Sequence, residues 1–271
     1  MRIGIVGLGL IGGSLGMALR QFDRSLEIAG VARSPEGAAA AERRGAVDQA
    51  SSDPAILNGA DLVVIATPID QIAPCLERMA GVLSSTTLVT DVASVKRPVL
   101  EWAGRLIEPT RFLGGHPVAG KAESGLAAAD PALFRDEPWI FTPNPEQDLQ
   151  PFAPWVELVR AIGARPIFLS VDEHDRQMAF LSHLAFALSA AFAQTVDRNA
   201  DSSLGGPGYR SMTRLAGGDP AMYESISREN REPLIEAIDR FRSVLDEYRD
   251  RVEKGDRLHE LFSLRRGHVA V

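Results

Sequence analysis

The opening residues constrain this chain more than any other part of it. The apolar run RIGIV (residues 2–6) ends at Gly7, and Gly7, Leu8, Gly9, Leu10, Ile11 and Gly12 then spell G-x-G-x-x-G ahead of a helical pattern over 12–20. A strand, a glycine-rich turn and a helix in that order form the start of a dinucleotide-binding βαβ unit. Gly7 permits the tight turn, Gly9 lets backbone approach a pyrophosphate, and Gly12 lets helix and strand pack closely. The helix start, with Leu10 and Ile11, offers that pyrophosphate free N–H groups and a partial positive charge. The competing reading is a glycine-rich turn with no ligand.

Further short apolar runs follow at 27–31 (EIAGV), 62–66 (LVVIA), 88–91 (LVTD), 112–113, 139–142 (WIFT) and 166–169 (PIFL), with helical patterns between them. The continuous LVVIA run predicts a strand buried on both faces of a parallel sheet, and the alternation predicts right-handed βαβ crossovers. Beyond about residue 170 the strands stop. An apolar helix is expected from near His174, a second from Asp219-Pro220, and a third in which Ile235, Ile238, Phe241, Leu245, Tyr248 and Val252 share a stripe ending at Gly255. The fold class read here is α/β, an N-terminal Rossmann-type doubly wound sheet followed by an all-helical dimerisation domain. A dinucleotide-binding domain is expected over 1–170 and a helical substrate and dimerisation domain over 171–271. The stretch 178–193 is expected to be a buried helix, too short and too interrupted to span a membrane. Its low polarity predicts a homodimer through the helical domain.

An NAD site usually places an acid about 20 residues past the glycines, on the ribose 2′-hydroxyl. Here the strand at 27–31 runs into Ala32, Arg33 and Ser34, and Glu27 stands at its wrong end. An arginine and a hydroxyl suit a 2′-phosphate, so NADP is the expected cofactor; a solvated surface arginine is the alternative. Thr67 and Pro68, after the strand at 62–66, and residues 91–94 are expected to line the crevice at the strands' carboxyl ends.

Net charge is -7, which argues against a nucleic-acid partner. Cys75 is the single cysteine, so a disulfide within the chain is excluded and a reducing, cytoplasmic setting is expected. No basic-then-apolar leader opens the sequence, no membrane partner is expected, and no His/Cys/Asp cluster has the spacing of a metal site.

One histidine stands out. Residues 114–120 read GGHPVAG, where Gly-Gly and Pro break both helix and strand periodicity. His116 is therefore expected in a loop that approaches a ligand, or else as an incidental surface histidine.

Taken in order, GLGLIGGSL, Ala66-Thr67-Pro68, TDVASVK (90–96), GGHPVAG and Ser182-His183-Leu184 resemble the prephenate/arogenate dehydrogenases of tyrosine biosynthesis, over nearly the whole chain. GGHPxAG together with DVxSVK is a specific pair. The resemblance implies oxidative decarboxylation of a cyclohexadienol, a small-molecule substrate. Hydride leaves the carbinol carbon, the ring carboxylate leaves as carbon dioxide, and a phenol remains. It implies that His116 is the catalytic base and that Ser94 hydrogen-bonds its ring. In PGYRSMTR (207–214), similar to the family's GFRDxxR, it implies that Arg210 holds a substrate carboxylate. Ser211 replaces the usual acid, which leaves Arg214 open; surface charge is the alternative for both arginines. His183 is either a substrate ligand or a satisfied core histidine. His174 and Asp175 open the long helix, with Asp175 read as its cap.

Family members that act on prephenate often read SHLPH, with an acid two residues past the GGHPxAG loop. Here Phe186 and Ala122 take those places, which tilts the expectation toward NADP-dependent conversion of arogenate to tyrosine, as in the short cyanobacterial-type members. The alternatives are a prephenate dehydrogenase giving 4-hydroxyphenylpyruvate, a β-hydroxyacid dehydrogenase, and a nucleotide-binding sensor. The second kind would place a lysine on the interdomain helix, and residues 174–197 contain none.

Overall fold

The computed structural model describes residues 1–121 and 123–259. Ala122 lies outside the described residues. Strand β1 (Arg2–Val6) leads into helix α1 (Leu10–Phe22), then β2 (Glu27–Val31), α2 (Pro35–Arg43), β3 (Gln49–Ser51) and β4 (Leu62–Ile65). Next come α3 (Ile72–Ala80), β5 (Leu88–Asp91), α4 (Arg97–Leu106), β6 (Phe112–Pro117), β7 (Pro138–Thr142), α5 (Ala153–Ala161) and β8 (Arg165–Phe168). From there the described chain is helical: α6 (Val171–Met178), a π-helical turn (Ala179–His183), α7 (Leu184–Asn199), α8 (Pro207–Thr213), α9 (Pro220–Glu229) and α10 (Arg231–Lys254).

The strands form one sheet in the order β3-β2-β1-β4-β5-β6-β7-β8. Chain order reverses between β1 and β4, the switch point at which such sheets open a ligand crevice. The apolar run of β4 works as expected: Leu62 and Val64 enter one core layer, Val63 and Ile65 the other. Both faces are covered by helices, so alternation with polar residues would have left charges unsolvated. Aromatic rings fill the far end of the first layer, where Trp139 and Trp155 meet edge to face at 5.7 Å.

Four readings change. The GGHP segment is strand, not loop. It completes β6, which pairs antiparallel with β7 so that His116 faces Ile140, and the sheet is mixed rather than wholly parallel. The reason is tertiary. A Cβ on Gly114 would stand 2.2 Å from Thr142 Oγ1, and one on Gly115 2.6 Å from the Asp91 carbonyl. These glycines serve close packing inside a strand. Strand β3, only QAS, escaped notice because three residues carry no periodicity. The long helix starts at Val171 under a capping box made by Ser170 and Glu173, so Asp175 is not its cap. Finally, the expected burial of that helix fails within one chain.

Helical residues run without a break over Val171–Asn199, 29 residues whose most apolar 18-residue window has a mean hydropathy of 1.4 and is only 22% buried. That length and composition would suffice to cross a membrane, so the interruptions at 182, 183 and 189 did not shorten it as expected. Leu181 is 70% exposed and Phe192 36%. The stripe on α10 behaves alike: Leu234 and Ala237 turn inward, while Ile235, Val244, Leu245 and Val252 stay uncovered. The start of α9 and the stop of α10 match the sequence reading. Asp219 caps α9 by accepting from Ala221 N at 3.0 Å, and Gly255 ends α10 with φ of 69°.

Candidate active site

The turn after β1 is shaped for an anion. Gly7 has φ of 97°, and a Cβ there would lie 2.6 Å from the Ala66 carbonyl; at Gly12 it would lie 2.1 Å from Gly7 O. At Gly9 nothing stands within 4 Å, so the backbone is open to a ligand. Helix α1 starts from Gly9 with no side-chain cap and no acid in its first turn, which leaves the N–H groups at Leu10 and Ile11 available. Across the switch point, Thr67 Oγ1 is buried without a partner, a polar group that a ligand would satisfy. Pro68 opens a short 3₁₀ turn beside it. These residues fit a dinucleotide.

At the carboxyl end of β2, Ala32 is buried and its N–H is taken by Ser51 O, while Arg33 is exposed. Ser34 caps α2 by accepting from Gly37 N at 3.2 Å, and its hydroxyl interacts with the Glu36 carboxylate in the first turn of that helix.

The second cluster lies at the same end of the sheet, on and after β5 and β6. His116 is 7% exposed, and its Nδ1 lies 2.8 Å from Nε2 of His174. The His174 Nδ1 lies 2.7 Å from Asp175 Oδ1. Asp175 reaches further, accepting from the backbone N–H of Lys96 at 2.8 Å and of Arg97 at 2.9 Å. It therefore caps α4, a helix of the sheet domain that no side chain of its own caps. Beneath His116, Lys96 is fully buried: its Nζ pairs with Asp91 and donates to Gly115 O at 2.6 Å. Asp91 accepts in return from Gly115 N at 3.1 Å and Ala93 N at 2.9 Å. The TDVASVK and GGHP segments are thus joined by two hydrogen bonds from one buried ion pair to the Gly115 backbone.

The electrostatics follow from burial. Burial holds the His116 pKa well below the ordinary imidazole value, and the neighbouring His174, Lys96 and His183 push the same way. Burial likewise lowers His174, against an opposing hydrogen bond to Asp175. His183 falls to about 4, again through burial. Asn230 donates from Nδ2 both to Asp175 O at 2.8 Å and towards His183 Nδ1 at 3.1 Å. Since His183 Nδ1 accepts, its Nε2 carries the proton, and that atom is buried without a partner.

Other expected residues stand apart. Among the described residues no hydrogen bond joins Ser94 to His116; the contact that orients the ring comes from His174. Arg210 is exposed, donating to Gly205 O at 3.1 Å within its own loop. Arg214 acts electrostatically on Tyr223, whose ring stacks on Phe186. Cys75 is a half-buried thiol with its pKa raised to about 11 by desolvation. No group of three metal-ligating side chains occurs among the described residues.

Residues 15–168 match the prephenate dehydrogenase nucleotide-binding domain, and residues 170–264 the prephenate dehydrogenase dimerization domain. The chain belongs to the prephenate/arogenate dehydrogenase family. It is 32% identical to a prephenate dehydrogenase of Bacillus subtilis over 93% of this chain and 70% of that one. It resembles the crystal structure of Synechocystis arogenate dehydrogenase at 34% identity, with a TM-score of 0.85 over 97% of this chain and 96% of that one. A prephenate dehydrogenase from Aquifex aeolicus, solved with hydroxyphenyl propionate and NAD+, superposes with a TM-score of 0.89 at 26% identity, covering 94% and 91% of the two chains.

In this family member, sequence reasoning missed Lys96 inside a motif it had quoted, and Asn230 altogether. It gave His174 no role. Only a lysine closing a quoted motif, and a histidine next to an acid, were there to be noticed.

Proposed function

We propose that this dehydrogenase is an NADP-dependent arogenate dehydrogenase. The observation that carries the reading is His116, buried and kept neutral, at the end of the sheet that also bears the Gly7–Gly12 turn. A nicotinamide cofactor held by Gly7, Gly9, Gly12 and the start of α1 supplies the hydride acceptor. Neutral His116 accepts the hydrogen bond of the ring hydroxyl and takes its proton as hydride leaves the carbinol carbon. Loss of the ring carboxylate as carbon dioxide then sends its electron pair into the ring, and the phenolate recovers the proton from His116. Arg210 binds a carboxylate of the substrate, with Arg214 beside it. His183 Nε2 donates a hydrogen bond to a substrate oxygen, and Ser94 lines the same pocket.

The exposed Arg33, with no acid at the end of β2, supports NADP over NAD. The Phe186–Tyr223 stack, where a second histidine would stand, supports arogenate over prephenate. A four-way assay of arogenate or prephenate with NADP or NAD, following reduced nicotinamide, tests both choices. Activity is expected with arogenate and NADP. Arg33→Ala should raise the KM for NADP roughly 10- to 100-fold, the loss of one or two charge-assisted hydrogen bonds, and leave that for NAD nearly unchanged. A variant indifferent to the 2′-phosphate would return Arg33 to surface charge.

The same reading makes the uncovered faces of α7 and α10 the seam of a homodimer. Sedimentation at micromolar concentration should give twice the chain mass; a monomer there would refute the seam.

A further inference from the structure

We infer that His174 and Asp175 form, with His116, a proton relay in which His174 fixes the His116 tautomer and shares the proton that His116 takes up. The inference rests on the proposed role of His116 as base. The hydrogen-bond directions follow from Asp175 outward. Its carboxylate is engaged by three donors: the N–H groups of Lys96 and Arg97 and the His174 ring. Such a carboxylate has acceptors only, so the proton between it and His174 sits on His174 Nδ1. Neutral His174 then presents a lone pair at Nε2. The proton in the 2.8 Å contact with His116 must therefore sit on His116 Nδ1. This leaves His116 Nε2 as the lone pair, without a hydrogen bond among the described residues and free for the substrate hydroxyl.

Protonation of His116 Nε2 would create a cation in a poor place for one. Lys96 and His183 face it from the β5–α4 connection and the π-helical turn, and Asp91 is already committed to Lys96. The anionic partner not already ion-paired with a lysine is Asp175, one ring away. Passage of the His116 Nδ1 proton to His174 Nε2 moves the charge next to that carboxylate. The proton returns by the same path when the phenolate recovers it, so no net proton is lost. His174 acts through His116 and is a positioning residue.

The experiment separates orientation from proton sharing. The Gln side chain in His174→Gln keeps a carbonyl that accepts from His116 Nδ1 but takes no proton; His174→Phe offers neither. Turnover is expected to fall about 10-fold in the first and 10²–10⁴-fold in the second, with KM and the cofactor Kd little changed. The solvent-deuterium proton inventory should be curved in the wild type and linear in His174→Gln. Nitrogen-15 NMR of His116 should show a proton on Nδ1 in the wild type and in His174→Gln, and a mixture in His174→Phe. Wild-type turnover and a curved inventory in His174→Gln would overturn proton sharing. An Nδ1 proton retained in full by a folded His174→Phe would overturn the tautomer lock. The NMR reading needs no turnover, so it stands even if the four-way assay refutes the substrate assignment.

Discussion

His116→Asn is expected to bind the nicotinamide cofactor as the wild type does and to lose about 10²–10⁴-fold in turnover, the usual contribution of a positioned general base. The first half follows from geometry, since His116 lies on β6 and the open backbone of the cofactor turn follows β1. The second follows from its state, because a ring already neutral loses nothing to competing protonation near pH 7. With its pKa well below the ordinary 6.5, wild-type turnover should stay level from neutral pH down and fall only below that value. Stability shares the sign. A histidine whose native pKa is depressed contributes fully above its unfolded value and loses that contribution as pH falls towards the native one. For His183 the window is 6.5 to about 4. Melting temperatures over the same range separate the two effects. Turnover within a few-fold of wild type in His116→Asn would remove the base assignment.

Lys96→Met carries the largest expected loss of stability, about 3–5 kcal/mol, because it strands a buried carboxylate. Asp91 would keep its bonds from Ala93 and Gly115 backbone but lose the cation opposite. The Gly115 carbonyl would lose its lysine donor as well. Urea unfolding of Lys96→Met should show a lowered midpoint at unchanged slope. Adding Asp91→Asn should restore part of the loss, since removing both charges ends the imbalance. A single variant within 1 kcal/mol of wild type, roughly the worth of an exposed pair, would mean that the charges were solvated after all.

The sequence carried what local patterning encodes. LVVIA revealed a doubly buried strand and GLGLIG a strand–turn–helix junction, since each is specified within a few residues. GGHP was misread because its glycines answer to Thr142 and to the Asp91 carbonyl, neither of which is nearby in the chain. His174 meets His116 across 58 residues, and Asp175 meets Lys96 across 79. No periodicity reports pairings of that range. The long helix was read as buried because apolar composition does not say whose surface covers it.

Asp175 holds the start of α4 with one side chain and, through His174, the ring on β6. The two halves of the chain are therefore not interchangeable parts. A chimera that borrowed only the sheet would inherit His116 without the acceptor for its Nδ1, and would leave α4 uncapped. Recombination at the junction after β8 would have to carry a matched histidine–aspartate pair with it, so the two domains are bound to change together.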